Sequence, residues 1–164
     1  MNEKTNPPAA GLMDSAKPEN MLGNISKIFR AMETGRWRYI DEEAYKKDTE
    51  SYRGMTRREL IGKRGESTQF HLRYFEIEPG GYSTYEQHHH EHAVVVTRGS
   101  GEVRIGCRYL PAHCGDIIYV APDDAHQFLN PDTNTEPFGF LCIVNAERDR
   151  PRAADGEAFC AICE

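Results

Sequence analysis

The sequence lacks the features that would place the chain in a membrane or on nucleic acid. No run approaches the roughly 20 consecutive apolar residues of a transmembrane helix, and the N-terminus lacks the charged-then-apolar layout of a secretory signal. The 20 Lys and Arg residues are outnumbered by 26 Asp and Glu, giving a net charge of −6, whereas nucleic-acid binding requires a clustered basic face. The sequence therefore predicts a cytoplasmic protein with neither a membrane nor a nucleic-acid partner.

The sequence also lacks the even cysteine count of a disulfide framework. It has five cysteines, and an odd number without a secretory signal favours reduced thiols. Cys160 and Cys163 form a C-x-x-C motif, but no helix can follow to stabilise a thiolate and no second pair completes a zinc site. We interpret this pair as incidental, with redox or metal binding as the alternative.

The length of 164 residues predicts one folded domain. Residues 1–20 contain three prolines and few large apolar side chains, so they predict a disordered tail. Residues 147–164 predict a polar C-terminal tail. The folded domain is expected over 37–146.

A short helix or arm is predicted between the first tail and this domain, over residues 21–36. Apolar residues recur at near-helical spacing within Met21–Thr34, and Gly35 stands where such a helix would end. We expect this helix to pack over a sheet edge or on a partner subunit. The apolar residues are Leu22, Ile25, Ile28, Phe29 and Met32.

The rest of the chain reads as short strands separated by Gly, Pro and Asp turns, which indicates an all-β sandwich or barrel. One such turn, Gly99–Gly101, predicts a hairpin. Several strands are apolar on both faces, so their outer face needs cover from a second sheet, the N-terminal arm or another subunit. A homodimer is therefore expected. These strands are AVVV, DIIYV and FGFLCIV.

Histidines are concentrated in the stretch YEQHHHEHAVVV, residues 85–96. Alternate residues of a strand share a face and lie roughly 6–7 Å apart, so a straight strand from Glu86 to His92 would span about 20 Å. The chain must bend between His88 and His92 if both bind one metal ion. A further ligand must come from elsewhere, and His126 is the candidate. His90 shares the same face.

The spacing of this stretch resembles the first signature motif of the cupin superfamily, whose members are double-stranded β-helix, or jelly-roll, barrels. That motif runs Gly, five residues, His-x-His, three or four residues, Glu, six residues, Gly. The corresponding residues are Gly80, Glu86, His88, His92 and Gly99. The acidic residue and one histidine have exchanged places relative to the usual order.

A second stretch, GDIIYVAPDDAHQFLN, resembles the second cupin motif. That motif runs Gly, five residues, Pro-x-Gly, two residues, His, three residues, Asn. Gly115, Pro122, His126 and Asn130 fall on it, and Asp124 stands where the second glycine is usual. The two motifs together imply an all-β jelly-roll barrel.

The resemblance implies one divalent transition metal, and Fe, Mn, Ni, Zn and Cu all suit imidazole and carboxylate ligands. If Glu86 does not bind the metal, His90 could replace it, and Glu86 could instead serve as a general base. No other residue is assigned a catalytic role. The implied ligands are Glu86, His88, His92 and His126.

The resemblance further implies an enzyme acting on a small organic molecule, by dioxygenase or by non-redox isomerase or lyase chemistry. The alternative is a metal-containing module that binds or senses a small molecule. Arg73 and Glu76 lie on opposite faces of one strand, and an inward Arg73 would favour an anionic substrate. Candidate lining residues are Tyr74, Tyr85, Tyr119, Phe128, Phe138, Phe140 and Cys142.

Overall fold

The computed structural model describes residues 21–47 and 50–154, and these residues form strands and no α-helix. The strands are β1 (Ala31–Glu33), β2 (Arg36–Trp37), β3 (Glu43–Ala44), β4 (Arg53–Ile61), β5 (Phe70–Tyr82), β6 (Glu86–Gln87), β7 (His92–Arg98), β8 (Ser100–Ile105), β9 (Arg108–His113), β10 (Ile117–Val120), β11 (His126–Leu129), β12 (Phe138–Asn145) and β13 (Arg152–Ala153).

Two antiparallel layers make up the barrel. The first layer has the order β3-β4-β5-β12-β7-β10, and the second has the order β9-β8-β11-β6-β13. The layers join where Leu129 of β11 pairs with Tyr82 of β5. The prediction of an all-β jelly roll is confirmed, and the long central strand β5 carries one wall of its interior.

The hairpin predicted at Gly99–Gly101 is wrong. Strand β7 pairs with β10 and β12, whereas β8 pairs with β9 and β11, so the chain crosses between layers at this point. Gly99 has a φ of +62°, and a Cβ there would collide with the carbonyl oxygen of Pro137. A residue without a side chain is required at this crossing, which explains the motif glycine.

An apolar core fills the space between the layers, and a second apolar cluster lies on the outer face of the first layer. There, Trp37 packs edge-on against Tyr74 at 5.2 Å between ring centroids. Ile40 and Leu60 belong to the same cluster, with Phe29 packed against it. The N-terminal segment therefore covers this face. The sequence had allowed a second sheet, the N-terminal arm or another subunit as the cover, and the N-terminal arm is present here.

The helix predicted over Met21–Thr34 is wrong. This segment runs as turn and extended chain, because tertiary contacts replace helical hydrogen bonds. The Lys27 ammonium donates to the carbonyls of Met21 and Gly23 and to the Glu66 carboxylate. Of the apolar residues that shared the predicted face, Phe29 packs against the outer cluster, and the other four are exposed, among them Met32 at 73%.

The cysteines differ in state. Cys107 is disulfide-bonded, contrary to the expectation of reduced thiols, whereas Cys142 is a buried free thiol and Cys114 an exposed one. The C-x-x-C pair, Cys160 and Cys163, lies outside the described residues, as does the predicted tail 1–20. Of the predicted C-terminal tail, residues 147–154 are described, and they include β13.

Within 21–47 and 50–154, no helix of the length and apolarity needed to cross a bilayer is found.

Candidate metal centre

The histidine stretch bends as the metal hypothesis requires. Strand β6 ends at Gln87 and β7 begins at His92, and the chain between them leaves the sheet. The carbonyl of His88 accepts a hydrogen bond from the backbone N–H of Asp123 at 2.8 Å, which ties the bend to the turn before β11. His88, His92 and His126 are thereby brought to one end of the barrel interior.

The three histidines form a buried cluster whose potential ligand atoms all lie within 4.8 Å of one another. A hydrogen bond also fixes the orientation of each ring. The Nδ1 contacts are His88 to the carbonyl of His90 at 2.7 Å, His126 to the carbonyl of Asp124 at 2.9 Å, and His92 to Sγ of Cys142 at 3.3 Å.

These contacts occupy Nδ1 and leave Nε2 of each ring as the remaining potential ligand atom. A carbonyl oxygen only accepts hydrogen bonds, so Nδ1 of His88 and of His126 carries the proton and Nε2 keeps its lone pair. Second-sphere hydrogen bonds of this kind orient metal-binding histidines in general. The donor set therefore has the form that a divalent transition metal requires.

The spacing of the nitrogens fits one ion as well. Nε2 of His88 lies 2.8 Å from Nε2 of His92, and two nitrogens at right angles, each about 2.1 Å from one ion, would be about 3 Å apart. One proton could join only two of the Nε2 lone pairs in a hydrogen bond. One metal ion would accept the lone pairs of all three histidines. The residues present thus fit a bound metal.

Burial keeps these rings neutral. Burial, followed by the neighbouring His126 and His90, lowers the pKa of His88 to about 4. Burial likewise lowers the pKa of His92 and of His126. Neutral imidazole is the metal-binding form, so at neutral pH the cluster does not have to release a proton before it binds an ion.

Glu86 lies beside this cluster rather than in it. It is buried and faces the same cavity, but its carboxylate accepts hydrogen bonds from the Lys46 ammonium and, at 3.4 Å, from the Tyr45 hydroxyl. Burial, together with the Glu86 charge, raises the pKa of Tyr45 well above its usual value, so that hydroxyl stays protonated. Glu86 as fourth ligand stays a prediction.

His90, the alternative fourth ligand, is also held from outside the cluster. Its ring stacks on His88 with 3.6 Å between centroids, and its Nδ1 lies 2.6 Å from the carboxylate of Asp149. Hydrogen bonds from the backbone of His89 and from His90 lower the pKa of Asp149. Asp149 follows the last long strand, and no local sequence pattern predicts this contact.

The remaining histidines lie away from the cluster. His89 is exposed and pairs with Asp123 at 2.6 Å, and the parity argument predicted that it faces outward. His113 is exposed. His71 accepts a hydrogen bond from the Arg148 guanidinium at 3.1 Å.

A cavity of about 210 Å³ opens beside the three histidines. Arg73 lines it, whereas Glu76 faces outward and accepts hydrogen bonds from Tyr74 and Arg98. Of the predicted lining residues, Phe128, Phe140 and Cys142 line the cavity; Tyr74, Tyr85, Tyr119 and Phe138 do not.

Sequence reasoning missed four ionisable residues of the cavity wall. Arg57 lies on β4 opposite Phe75 of β5, so a correct pairing of these strands would have placed it inside. The others come from segments without strand periodicity, which carry no comparable signal. The four are Tyr45, Lys46, Arg57 and Arg148.

Comparisons with known proteins agree with this architecture. Residues 73–144 match the Cupin_2 family, described as a cupin domain. Among curated proteins, the chain is similar to 1-methylthio-D-xylulose 5-phosphate methylsulfurylase of Rhodospirillum rubrum. The two are 37% identical over 131 residues, which cover 79% of this chain and 81% of the relative.

Solved structures show the same likeness. A cupin 2 conserved barrel domain protein from Rhodopseudomonas palustris is 33% identical, covers 80% of this chain and 88% of its own, and superposes with a TM-score of 0.71. A cupin-2 domain from Rhodospirillum rubrum is 36% identical over 79% of this chain and 84% of its own, with a TM-score of 0.67.

Proposed function

Because the chain belongs to the cupin superfamily, we propose that it is a metal-dependent enzyme acting on a small phosphorylated sugar that carries a methylthio group. The observation that carries the proposal is the convergence of His88, His92 and His126 on one end of a cavity with a basic wall. The similarity to the Rhodospirillum rubrum methylsulfurylase supports the choice of substrate class.

The cavity suits a substrate of this kind. A metal ion bound by the histidines would supply Lewis-acid polarisation of a substrate oxygen. Phe128 and Phe140 line the same cavity with apolar rings, which would hold a methylthio group and exclude bulk water. Arg73 and Arg148 provide positive charge for an anionic group on the substrate.

Within the two chemistries left open by the sequence, the relative favours the non-redox one. Its name refers to a methylthio group on a sugar phosphate and does not mention dioxygen. We therefore expect turnover to be equal in air and under anaerobic conditions, and a dependence of rate on dioxygen would favour the dioxygenase alternative instead.

The experiment uses protein purified without added metal. We would measure bound metal by mass spectrometry and follow 1-methylthio-D-xylulose 5-phosphate by ³¹P NMR. We expect about one equivalent of a divalent transition metal, turnover that stops on chelation, and recovery when the metal is restored. His88→Ala and His126→Ala should lose both metal and turnover.

His113→Ala is the matched control, because this exposed histidine lies outside the cluster. It should keep metal and turnover. A wild-type protein that binds metal and this sugar phosphate without converting it would contradict the enzyme proposal and support the binding or sensory module. Full turnover in the chelated protein would show that catalysis does not depend on a bound metal.

The predicted homodimer and the predicted cytoplasmic location stay predictions. Light scattering on the purified protein tests the first, and fractionation of the source cells tests the second.

A further inference from the structure

Arg73 is a cation in the cavity wall without an acidic partner. It extends inward from β5, and its terminal nitrogen donates to Sγ of Cys142 at 3.4 Å, a weak acceptor. Its Nε is buried and makes no hydrogen bond. Among the described residues, no carboxylate lies within ion-pair distance of it, and leaving a buried guanidinium nitrogen unsatisfied is costly.

The acidic residue nearest in register does not neutralise Arg73. Glu59 stands directly opposite it on β4, but Glu59 pairs with Nε of Arg57 at 3.3 Å and with the Lys63 ammonium at 3.1 Å. Arg57 also pairs with Glu43 at 2.9 Å. The barrel thus supplies carboxylates for the neighbouring cations and leaves Arg73 without one.

Arg148 is a second cation of the same kind. Its guanidinium donates to Nδ1 of His71 and to the carbonyl of Asn145, both at 3.1 Å, and these acceptors are uncharged. No ion pair is formed by Arg148 in the part of the chain that the structure describes. Burial and then the nearby Arg73 charge lower the pKa of Arg148, so the two guanidinium groups repel each other across the cavity.

We infer that Arg73 and Arg148 form the subsite for the phosphate group of the substrate. Guanidinium groups match phosphate oxygens in paired hydrogen bonds, and a dianion compensates two positive charges where a monocarboxylate would compensate one. The inference rests on the proposed function for the identity of the substrate, but the arginine pair itself is a property of the chain.

The position of the subsite also sets how the substrate lies. Cys142 contacts Arg73 on one side and, at 3.3 Å, Nδ1 of His92 on the other. The anion subsite and the metal centre are therefore separated by little more than one thiol. A substrate anchored at the arginines would present its uncharged end to the histidines.

The test measures binding of inorganic phosphate by calorimetry to the metal-loaded protein and to the same protein after chelation. We expect binding in both forms, since the arginines remain when the metal is removed, and weaker binding of acetate. Arg73→Gln and Arg148→Gln should each weaken phosphate binding roughly 30-fold or more, as for loss of one partner of a buried charged hydrogen bond.

Two controls separate binding from folding. Arg108→Gln removes the same charge from an exposed position on β9 that does not line the cavity, and it should bind phosphate like the wild type. Arg73→Lys keeps the charge but not the planar fork, and it should recover part of the affinity. Metal content should be unchanged in all four variants.

Three outcomes of the binding experiment would overturn the inference: no phosphate binding by the wild type, binding that disappears on chelation, or binding that is unaffected in both glutamine variants. The subsite can fail while the proposed function holds, and the proposed function can fail while the subsite holds. Equal kcat/KM for 1-methylthio-D-xylulose 5-phosphate and its dephosphorylated form would refute the subsite and leave the enzyme. Phosphate binding at the arginines without any turnover would leave the subsite and refute the enzyme.

Discussion

The two faces of strand β5 differ in how their charged side chains are paired. On the outer face, Glu76 accepts hydrogen bonds from Arg98 at 2.9 Å and from the Tyr74 hydroxyl at 2.7 Å. On the inner face, Arg73 contacts the Cys142 thiol and, within residues 21–47 and 50–154, no carboxylate. The outer face is balanced in charge under a covering segment, whereas the inner face presents the Arg73 cation to a cavity.

The two faces of β5 also differ in what lies over them. The outer face packs under the N-terminal segment through Trp37 and Ile40. The inner face borders a cavity whose far end holds the three histidines. Substitutions on the outer face should therefore reduce the free energy of unfolding, and those on the inner face should reduce binding of metal or anion.

The largest expected effect is on the outer face. Tyr74→Ala removes a ring that is 1% exposed and packs against Trp37, so it should lower the free energy of unfolding by about 3–5 kcal/mol. Urea unfolding measures this loss. Metal content of the remaining folded protein should be unchanged, and a parallel loss of metal would show that the two faces are not independent.

The next effect is on the inner face. Cys142→Ala removes the sulfur that contacts Nδ1 of His92, and loss of such a second-sphere partner typically weakens metal binding about 10- to 100-fold. Competition with a coloured chelator measures the affinity. Cys114→Ala, at an exposed free thiol, is the matched control, and equal affinities in the two variants would contradict the positioning role.

A smaller effect is expected at Glu66, whose carboxylate binds Lys27 of the covering N-terminal segment. Burial works to raise the pKa of Glu66, but the N–H groups of Arg64 and Gly62 and the Lys27 ammonium outweigh it and lower the pKa. A lowered folded-state pKa stabilises the fold above the ordinary Glu pKa of about 4.3, and this contribution is lost as pH falls through the folded value.

Glu66→Gln should accordingly cost about 1–2 kcal/mol at neutral pH and should flatten this part of the acid dependence. Urea unfolding as a function of pH gives both quantities. An unchanged pH profile in the variant would mean that Glu66 does not carry the linkage.

The smallest effect is expected at a surface pair of the covering segment. Arg36 and Glu33 lie 3.1 Å apart, but both are more than 60% exposed. Solvent screens such pairs, so Arg36→Gln should change the free energy of unfolding by less than about 0.5 kcal/mol. A larger loss would indicate that the β1–β2 hairpin contributes more than its exposure suggests.

The sequence carried enough information for the barrel and for the three histidines of the cluster. Motif glycines, turn residues and strand parity depend on local rules, and they located the bend between His88 and His92. The Met21–Thr34 helix failed because apolar spacing takes no account of Lys27 and Glu66, whose contacts cross between distant segments. Lys46 and Asp149 were missed for the same reason, since pairs such as Lys46–Glu86 and Asp149–His90 exist only in the folded chain.

The segment after the last long strand completes the cavity wall. Residues 148–153 supply Arg148 and Pro151 to the cavity wall, hold His90 through Asp149, and extend a sheet by pairing β13 with β6. This one short segment therefore contacts the cavity, the histidine stretch and the sheet edge at once, so a substitution that displaced it would change all three together.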